Sequence, residues 1–143
     1  SWVYGCDVCQ DVCPFQRFAA ETDEPAFQPA DLDRAAPPLL DLLALDEAAF
    51  AARFAGSPIL RIKRERLVRN ACVAAGNWGD QSVIPPLTAL LADEIALVRG
   101  HAAWALGQIG VIDPLQRRYP RESDEAVRAE IAAALEAAAR ASI

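Results

Sequence analysis

The sequence predicts an all-α protein, a solenoid of short stacked helical hairpins behind a cysteine-bearing N-terminal segment. Three observations carry this: an Ala- and Leu-rich composition, a pattern that recurs at intervals of 30 and then 29 residues, and three cysteines crowded within eight residues. Hydrophobic residues are 53% of the 143-residue chain, while Gly (7) and β-branched residues stay sparse, a balance that favours helices over strands. A chain of this length holds one ordinary domain, or a small module plus one modest helical core.

Taken in order, residues 1–18 carry the cysteines and residues 19–56 form a connector. Pro25, Pro29, Pro37 and Pro38 discourage any long helix in its first half, which is expected to be mostly extended. From Leu39 the pattern turns helical through Leu40, Leu42 and Leu43. Asp46 is placed to N-cap a short helix that sets Phe50 and Phe54 one turn apart, and Gly56 ends it. Ser57-Pro58 reads as the N-cap and first position of the next element, because proline lacks an N–H where none is needed.

Residues 57–143 repeat themselves. Leu67-Val68-Arg69 with Gly76-Asn77-Trp78-Gly79 behind it returns as Leu97-Val98-Arg99 with Gly107-Gln108-Ile109-Gly110, and Val127-Arg128 opens a third, degenerate copy. Within each unit a helix ends at glycine and a second comes after it. Ser82 is expected to cap Val83 to Ala92, with Pro85 and Pro86 tolerable in its first turn, and Asp113-Pro114 opens a shorter helix. This is a HEAT-like α-solenoid, against which stands an irregular helical bundle with chance similarity.

Cys6-x2-Cys9-x3-Cys13-Pro14 matches the last three cysteines of the bacterial ferredoxin run C-x2-C-x2-C-x3-C-P. In such a run successive thiolates meet one cubane, and the cysteine before proline turns toward a second cluster. The segment is thus the tail end of a ferredoxin-like iron–sulfur module. The first cysteine of the run is missing, since Val3 stands in its place. Three ligands do not close a four-thiolate site, so others come from outside this chain unless Cys72 supplies one. Cys72 lies among Ala71, Val73 and Ala74, where a buried structural thiol is the ordinary reading. Zinc, which also takes thiolates, and three inert thiols are the alternatives.

The formal charge of −6 argues against indiscriminate binding of polyanions. Five of the 14 Lys and Arg residues nevertheless fall within nine positions, at Arg61, Lys63, Arg64, Arg66 and Arg69, opposed there only by Glu65. Helical steps of 100° spread these around a continuous helix, so a break near Arg64 is needed to bring them to one rim. With Arg99 they are the candidate RNA contacts, against the plainer reading of a solvated charged face. His101, the one histidine, is expected to be a structural hydrogen-bonder, and Trp104, Trp78 and Trp2 to fill the core rather than stack on bases. No catalytic constellation or Gly-rich phosphate loop occurs. No apolar run reaches the roughly 18 residues of a membrane span, and no basic n-region precedes an apolar core at the N-terminus, so the cytoplasm is the expected compartment; a monomer is expected.

The string Tyr4-Gly5-Cys6-Asp7-Val8-Cys9-Gln10-Asp11-Val12-Cys13-Pro14-Phe15 resembles the second cluster motif of the epoxyqueuosine reductase family. Three further blocks agree in order and spacing: Leu42-Leu43-Ala44-Leu45 with Phe50 and Phe54; Gly56-Ser57-Pro58-Ile59 leading to Arg69-Asn70-Ala71; and Val98-Arg99-Gly100-His101-Ala102-Ala103-Trp104-Ala105-Leu106-Gly107. The resemblance implies an oxidoreductase that reduces epoxyqueuosine to queuosine in the tRNA anticodon, using cobalamin and two 4Fe-4S clusters. It also implies that Cys6 and Cys9 hold the second cluster and Cys13 reaches the first. The cobalamin-binding catalytic domain lies upstream and is not in this chain, which alone is expected to be inactive. Its implied partners are the anticodon stem-loop and an electron donor. The competing function is a non-enzymatic HEAT-like scaffold with a zinc or electron-transfer site.

Overall fold

The computed structural model describes residues 3–25, 28, 29 and 31–141, and among these every regular element is helical. In chain order the α-helices are α1 (Val8–Asp11), α2 (Leu32–Ala35), α3 (Leu39–Leu43), α4 (Glu47–Arg53), α5 (Lys63–Trp78), α6 (Ile84–Leu90), α7 (Ala96–Ile109), α8 (Asp113–Arg118) and α9 (Glu125–Ala141). The long helices α5, α7 and α9 pack side by side as one layer. Against it lie α3 on α5, α6 on α7 and α8 on α9. Each hairpin buries its apolar stripe against its neighbours, as in a stack of helical repeats.

Local signals in the sequence account for most boundaries. Asp46 Oδ1 accepts from the Ala49 amide at 2.7 Å and starts α4, and the Phe50 and Phe54 rings stack one turn apart at 5.3 Å. Ser57 Oγ accepts from the Ile59 amide at 3.2 Å, with Pro58 opening a 3-10 turn, Pro58–Ile62. Among its described residues the connector includes the single turn of α2, whose Asp33 meets Arg53 at 2.7 Å. One boundary differs from expectation. Asp80, not Ser82, makes the cap before α6, accepting from the Ser82 amide at 2.8 Å and from its hydroxyl at 2.5 Å. The carboxylate two residues earlier folds the chain into a 3-10 turn, Gln81–Val83, so that α6 begins only at Ile84.

The paired glycines of the repeat do two different jobs. Gly79 and Gly110 end α5 and α7 in the left-handed conformation, at φ 72 and 86°, where a side chain is strained. Gly107, three residues before its cap, instead permits contact: a Cβ there would lie 2.7 Å from Ala134 Cβ and 2.8 Å from its Cα. Gly76 does the same toward Trp104 and Ala105, at 2.9 and 3.0 Å. Trp104 is packed against the core between repeats, as expected. Trp78 is not in the core. It sits at the end of α5 with 56% of its surface exposed, because the capping glycine turns the chain away there. Trp2 lies outside the described residues.

One buried cluster runs from Leu42, Leu43 and Phe50 through Leu67, Val68 and Cys72 to Leu106, Leu115 and Ile131. Packing is therefore continuous across residue 57, and the helices of the connector's second half share the core of the repeats. No described helix is long and apolar enough to cross a membrane.

Candidate thiolate segment and cationic cleft

Cys6 and Cys9 are exposed and Cys13 is half-buried, all three as free thiols. Asp7 adopts a left-handed conformation at φ 49° before α1, and Cys13 precedes the 3-10 turn Pro14–Phe18. Soft thiolates on an exposed loop are the right donor type for an iron–sulfur cluster. Their number is not sufficient, and among the described residues no three His, Cys, Asp or Glu side chains converge on a metal-holding point. Cys72 does not complete the set. It is fully buried in α5, and burial, with the nearby Asp93 charge adding to it, pushes its thiol up to about 12.

The cations expected to face RNA divide into two groups. Arg64 turns inward: its Nε donates to the Leu45 carbonyl at 2.7 Å and its Nη2 to Asp93 Oδ2 at 2.6 Å. Against the cost of burial, this hydrogen bond holds the Asp93 carboxyl below the usual range. Arg99 also turns inward, making a two-point pair with Glu122 and donating to the Asp93 and Glu94 carbonyls. Both guanidinium groups are thus occupied within the fold. Arg61, Lys63 and Arg66 are exposed and Arg69 half-buried; among the described residues none of the four forms an ion pair with a carboxylate.

A backbone break divides the cations of residues 61–69. Lys63 has φ 64° and ψ 162°, a region ordinarily left to glycine that costs of order 1–3 kcal/mol. Arg64, tied on one side to Leu45 and on the other to Asp93, holds the chain there. The break falls beside Arg64, where the sequence required one. It leaves Arg61 on the 3-10 turn, while Arg66, Arg69, Asn70 and Val73 share one stripe of α5 at helical spacing.

That stripe reaches the cysteine segment. Arg66, Arg69, Asn70 and Ile62 line a cleft of about 380 Å³ with Val3, Tyr4, Gly5 and Cys6 on its other wall. Asn70 is the tie, its Nδ2 donating to the Val3 carbonyl at 2.7 Å while its Oδ1 accepts from Arg69 Nε at 3.0 Å. The position of Cys6 is therefore coupled to the orientation of Arg69. Sequence reasoning gave Asn70 no role. Its i+4 spacing from Arg66 was the available signal, but its partner lies 67 residues away.

The repeated Val-Arg pairs explain why Arg69 differs. Arg99 and Arg128 each donate to the carbonyl six residues earlier, Asp93 and Glu122, at 2.9 and 2.6 Å. They clamp the loop that leads into their own helix. Arg69 makes no such bond and engages its neighbour Asn70 instead, which leaves its terminal nitrogens toward the cleft. His101 donates from Nδ1 to the Leu97 carbonyl at 2.8 Å, the structural role expected of it.

Comparison with known proteins agrees with this architecture. Residues 59–136 match the HEAT repeats family. The chain is 47% identical over 111 residues to the epoxyqueuosine reductase of Xanthomonas campestris, covering 76% of this chain and 31% of that protein. It is 34% identical over 138 residues to the epoxyqueuosine reductase of Bacillus subtilis, covering 94% of this chain and 36% of the relative. A crystal structure of epoxyqueuosine reductase with an epoxyqueuosine-modified tRNA-Tyr stem loop superposes with a TM-score of 0.86 at 33% identity, over 96% of this chain and 37% of that one. The chain spans about a third of the length of the relatives it matches. It belongs to the HEAT-repeat family and is homologous to the C-terminal part of epoxyqueuosine reductases.

Proposed function

We propose that this chain is the RNA-docking and cluster-flanking part of an epoxyqueuosine reductase, the oxidoreductase that converts epoxyqueuosine to queuosine in tRNA. In this reading Cys6 and Cys9 give thiolates to the second four-iron, four-sulfur cluster and Cys13 to the first, as the ferredoxin spacing implies. The remaining ligands, the cobalamin and the catalytic residues belong to residues outside this chain, which alone is inactive. When bound, the clusters carry electrons from a donor protein toward the cobalamin. Support comes from the surface around the thiols. Val8, Val12, Phe15 and Phe18 are 55, 74, 74 and 69% exposed, apolar area of the kind that a neighbouring module covers.

The observation that carries the RNA-binding half is the cleft in which Arg66 and Arg69 stand beside Cys6. Arg61, Lys63, Arg66 and Arg69 contact phosphates of the anticodon stem-loop, and Arg phosphate pairing suits the planar guanidinium. Arg64 and Arg99 act from inside, fixing the break and the repeats that present the others. A relative crystallised with a tRNA stem loop supports this. The protein works as a cytoplasmic monomer.

Because Cys6 lines the cleft, RNA docking is readable at its thiol. An anticodon stem-loop at low salt should slow alkylation of Cys6 several-fold, and Arg66→Gln with Arg69→Gln should remove that protection. Alkylation of Cys6 at the same rate with and without saturating RNA would remove the cleft from the RNA interface.

A further inference from the structure

A second groove, of about 480 Å³, opens between α7 and the start of α9, and no residue of the cationic set lines it. Its walls are Leu97, Gly100, His101 and Trp104 on one side and Asp124 and Glu130 on the other, floored by Val73 and Val127. Four of these residues leave a group open to the groove.

Gly100 is the first. It sits inside α7 at ordinary helical φ, where glycine costs about 1 kcal/mol relative to alanine. Gly76 and Gly107 offset that cost with helix contacts, but a Cβ at Gly100 would meet nothing within 4 Å. Its missing side chain widens the groove and serves no packing contact. Glu130 is the second, a half-buried carboxylate with no hydrogen bond or ion pair among the described residues. The third is His101, whose Nδ1 is fixed on the Leu97 carbonyl, so that in the neutral ring Nε2 presents a lone pair. The fourth is Trp104, half-buried and lining the groove, while Leu97 at its rim keeps 37% of its surface exposed.

Together these make an aromatic wall beside acceptors and uncompensated negative charge. Asp124 spends Oδ1 on the Ala126 and Val127 amides, at 3.0 Å each, to cap α9, and it lies in the field of Arg99. Glu130 forms no ion pair among the described residues. A phosphate chain is repelled by this surface, whereas a guanidinium gains a carboxylate, a ring face and an acceptor nitrogen together.

We propose that this groove docks a basic segment of a protein partner, seating an arginine side chain against Trp104 between Leu97 and Glu130. Charge complementarity selects the occupant, and Gly100 lets the partner's backbone approach α7 closely. The groove shares no lining residue with the RNA-binding cleft, although Val73 stands one turn from Arg69 on α5, and the two are told apart by their own variants.

The probes are N-acetyl-arginine N-methylamide and its neutral citrulline isostere, titrated into the isotopically labelled chain to tens of millimolar. The arginine compound should shift the Trp104 indole N–H and the Gly100 amide with saturation, and the citrulline compound should bind at least tenfold more weakly. Glu130→Gln should weaken binding severalfold, and Gly100→Leu should abolish it with the rest of the spectrum unchanged. Equal binding of both compounds, or no saturable shift at these two groups, overturns the proposal. So does a stem-loop RNA that shifts the same two resonances, because the groove would then hold a nucleobase.

Discussion

Arg99 and Glu122 meet at two points, Nε to Oε2 and Nη2 to Oε1, each at 2.9 Å, with the carboxylate side chain fully buried. Arg118 adds a further pair at 2.7 Å, and the Asp124 amide donates to Oε1 at 3.0 Å. One carboxylate thereby ties α7, α8 and the loop before α9. A buried charge is tolerated only while its partners remain.

Glu122→Gln should therefore destabilise the fold by about 3 kcal/mol, the scale on which breaking a buried pair leaves an uncompensated charge. Arg99→Ala should cost a similar amount, and the double variant less than the sum, because both remove one interaction. Urea unfolding measures all three. A loss below about 1 kcal/mol for Glu122→Gln is the behaviour of a surface pair and would contradict the role given to Glu122.

The same pair sets an acid limit. Hydrogen bonding from Arg99 is the main cause, working against desolvation, that lowers the Glu122 carboxyl from 4.5 to about 2. A depressed folded value means that the unfolded chain takes up the proton first, so the contribution is full above pH 4.5 and is lost as pH falls toward about 2. Urea midpoints should fall more steeply across that window in the natural chain than in Glu122→Gln. Parallel curves would assign the acid sensitivity to other groups.

Two glycines of α7 should respond oppositely to alanine. Gly107→Ala drives a Cβ into the Ala134 backbone at 2.8 Å and should cost roughly 2 kcal/mol, as overpacking does. Gly100→Ala meets open space and should stabilise by up to about 1 kcal/mol. Thermal unfolding of the two variants checks the sign of each, and a stable Gly107→Ala would mean that α7 and α9 are free to part.

Much of this fold was legible because its signals are local. Asp46 and Ser57-Pro58 cap the helical turns that begin beside them, and Gly79 and Gly110 end the helices before them, all within a few residues. Long-range partners were not legible. Nothing near Arg64 distinguishes it from Arg66, since its carboxylate lies 29 residues away, and Arg99 hides Glu122 in the same manner at 23. Trp104 sits in an apolar string and packs on Gly76 of the neighbouring helix, whereas Trp78 lies among Asn77, Gly79, Asp80 and Gln81 at the end of α5, a polar setting that already marked it as exposed. The cysteine run was legible as a ligand pattern, while its cleft with Arg66 and Arg69 depends on Asn70 reaching Val3.

Thiol chemistry should separate the cysteines. Burial pushes Cys72 up to about 12, so it lacks both thiolate and access. A water-soluble maleimide should label Cys6, Cys9 and Cys13 in the native, metal-free protein and reach Cys72 only after unfolding. Peptide mapping reads the order, and early labelling at Cys72 would mean that α5 is not packed in the core.

The salt dependence of RNA binding tests the central claim, that the cations of residues 61–69 with no carboxylate partner among the described residues hold RNA while Arg64 holds the fold. Arg61, Lys63, Arg66 and Arg69 changed together to Gln should lose most affinity for an anticodon stem-loop at low salt. The log–log salt slope should drop by roughly 0.7 to 0.9 for each contact removed. Exposed charges such as Arg61, Lys63 and Arg66 move stability by less than about 0.5 kcal/mol each and Arg69 gives up only its bond to Asn70, so thermal unfolding should change less than in Arg64→Gln alone. Unchanged affinity and slope in the fourfold variant, measured where screening is weakest, would contradict the account and return these four residues to a solvated surface.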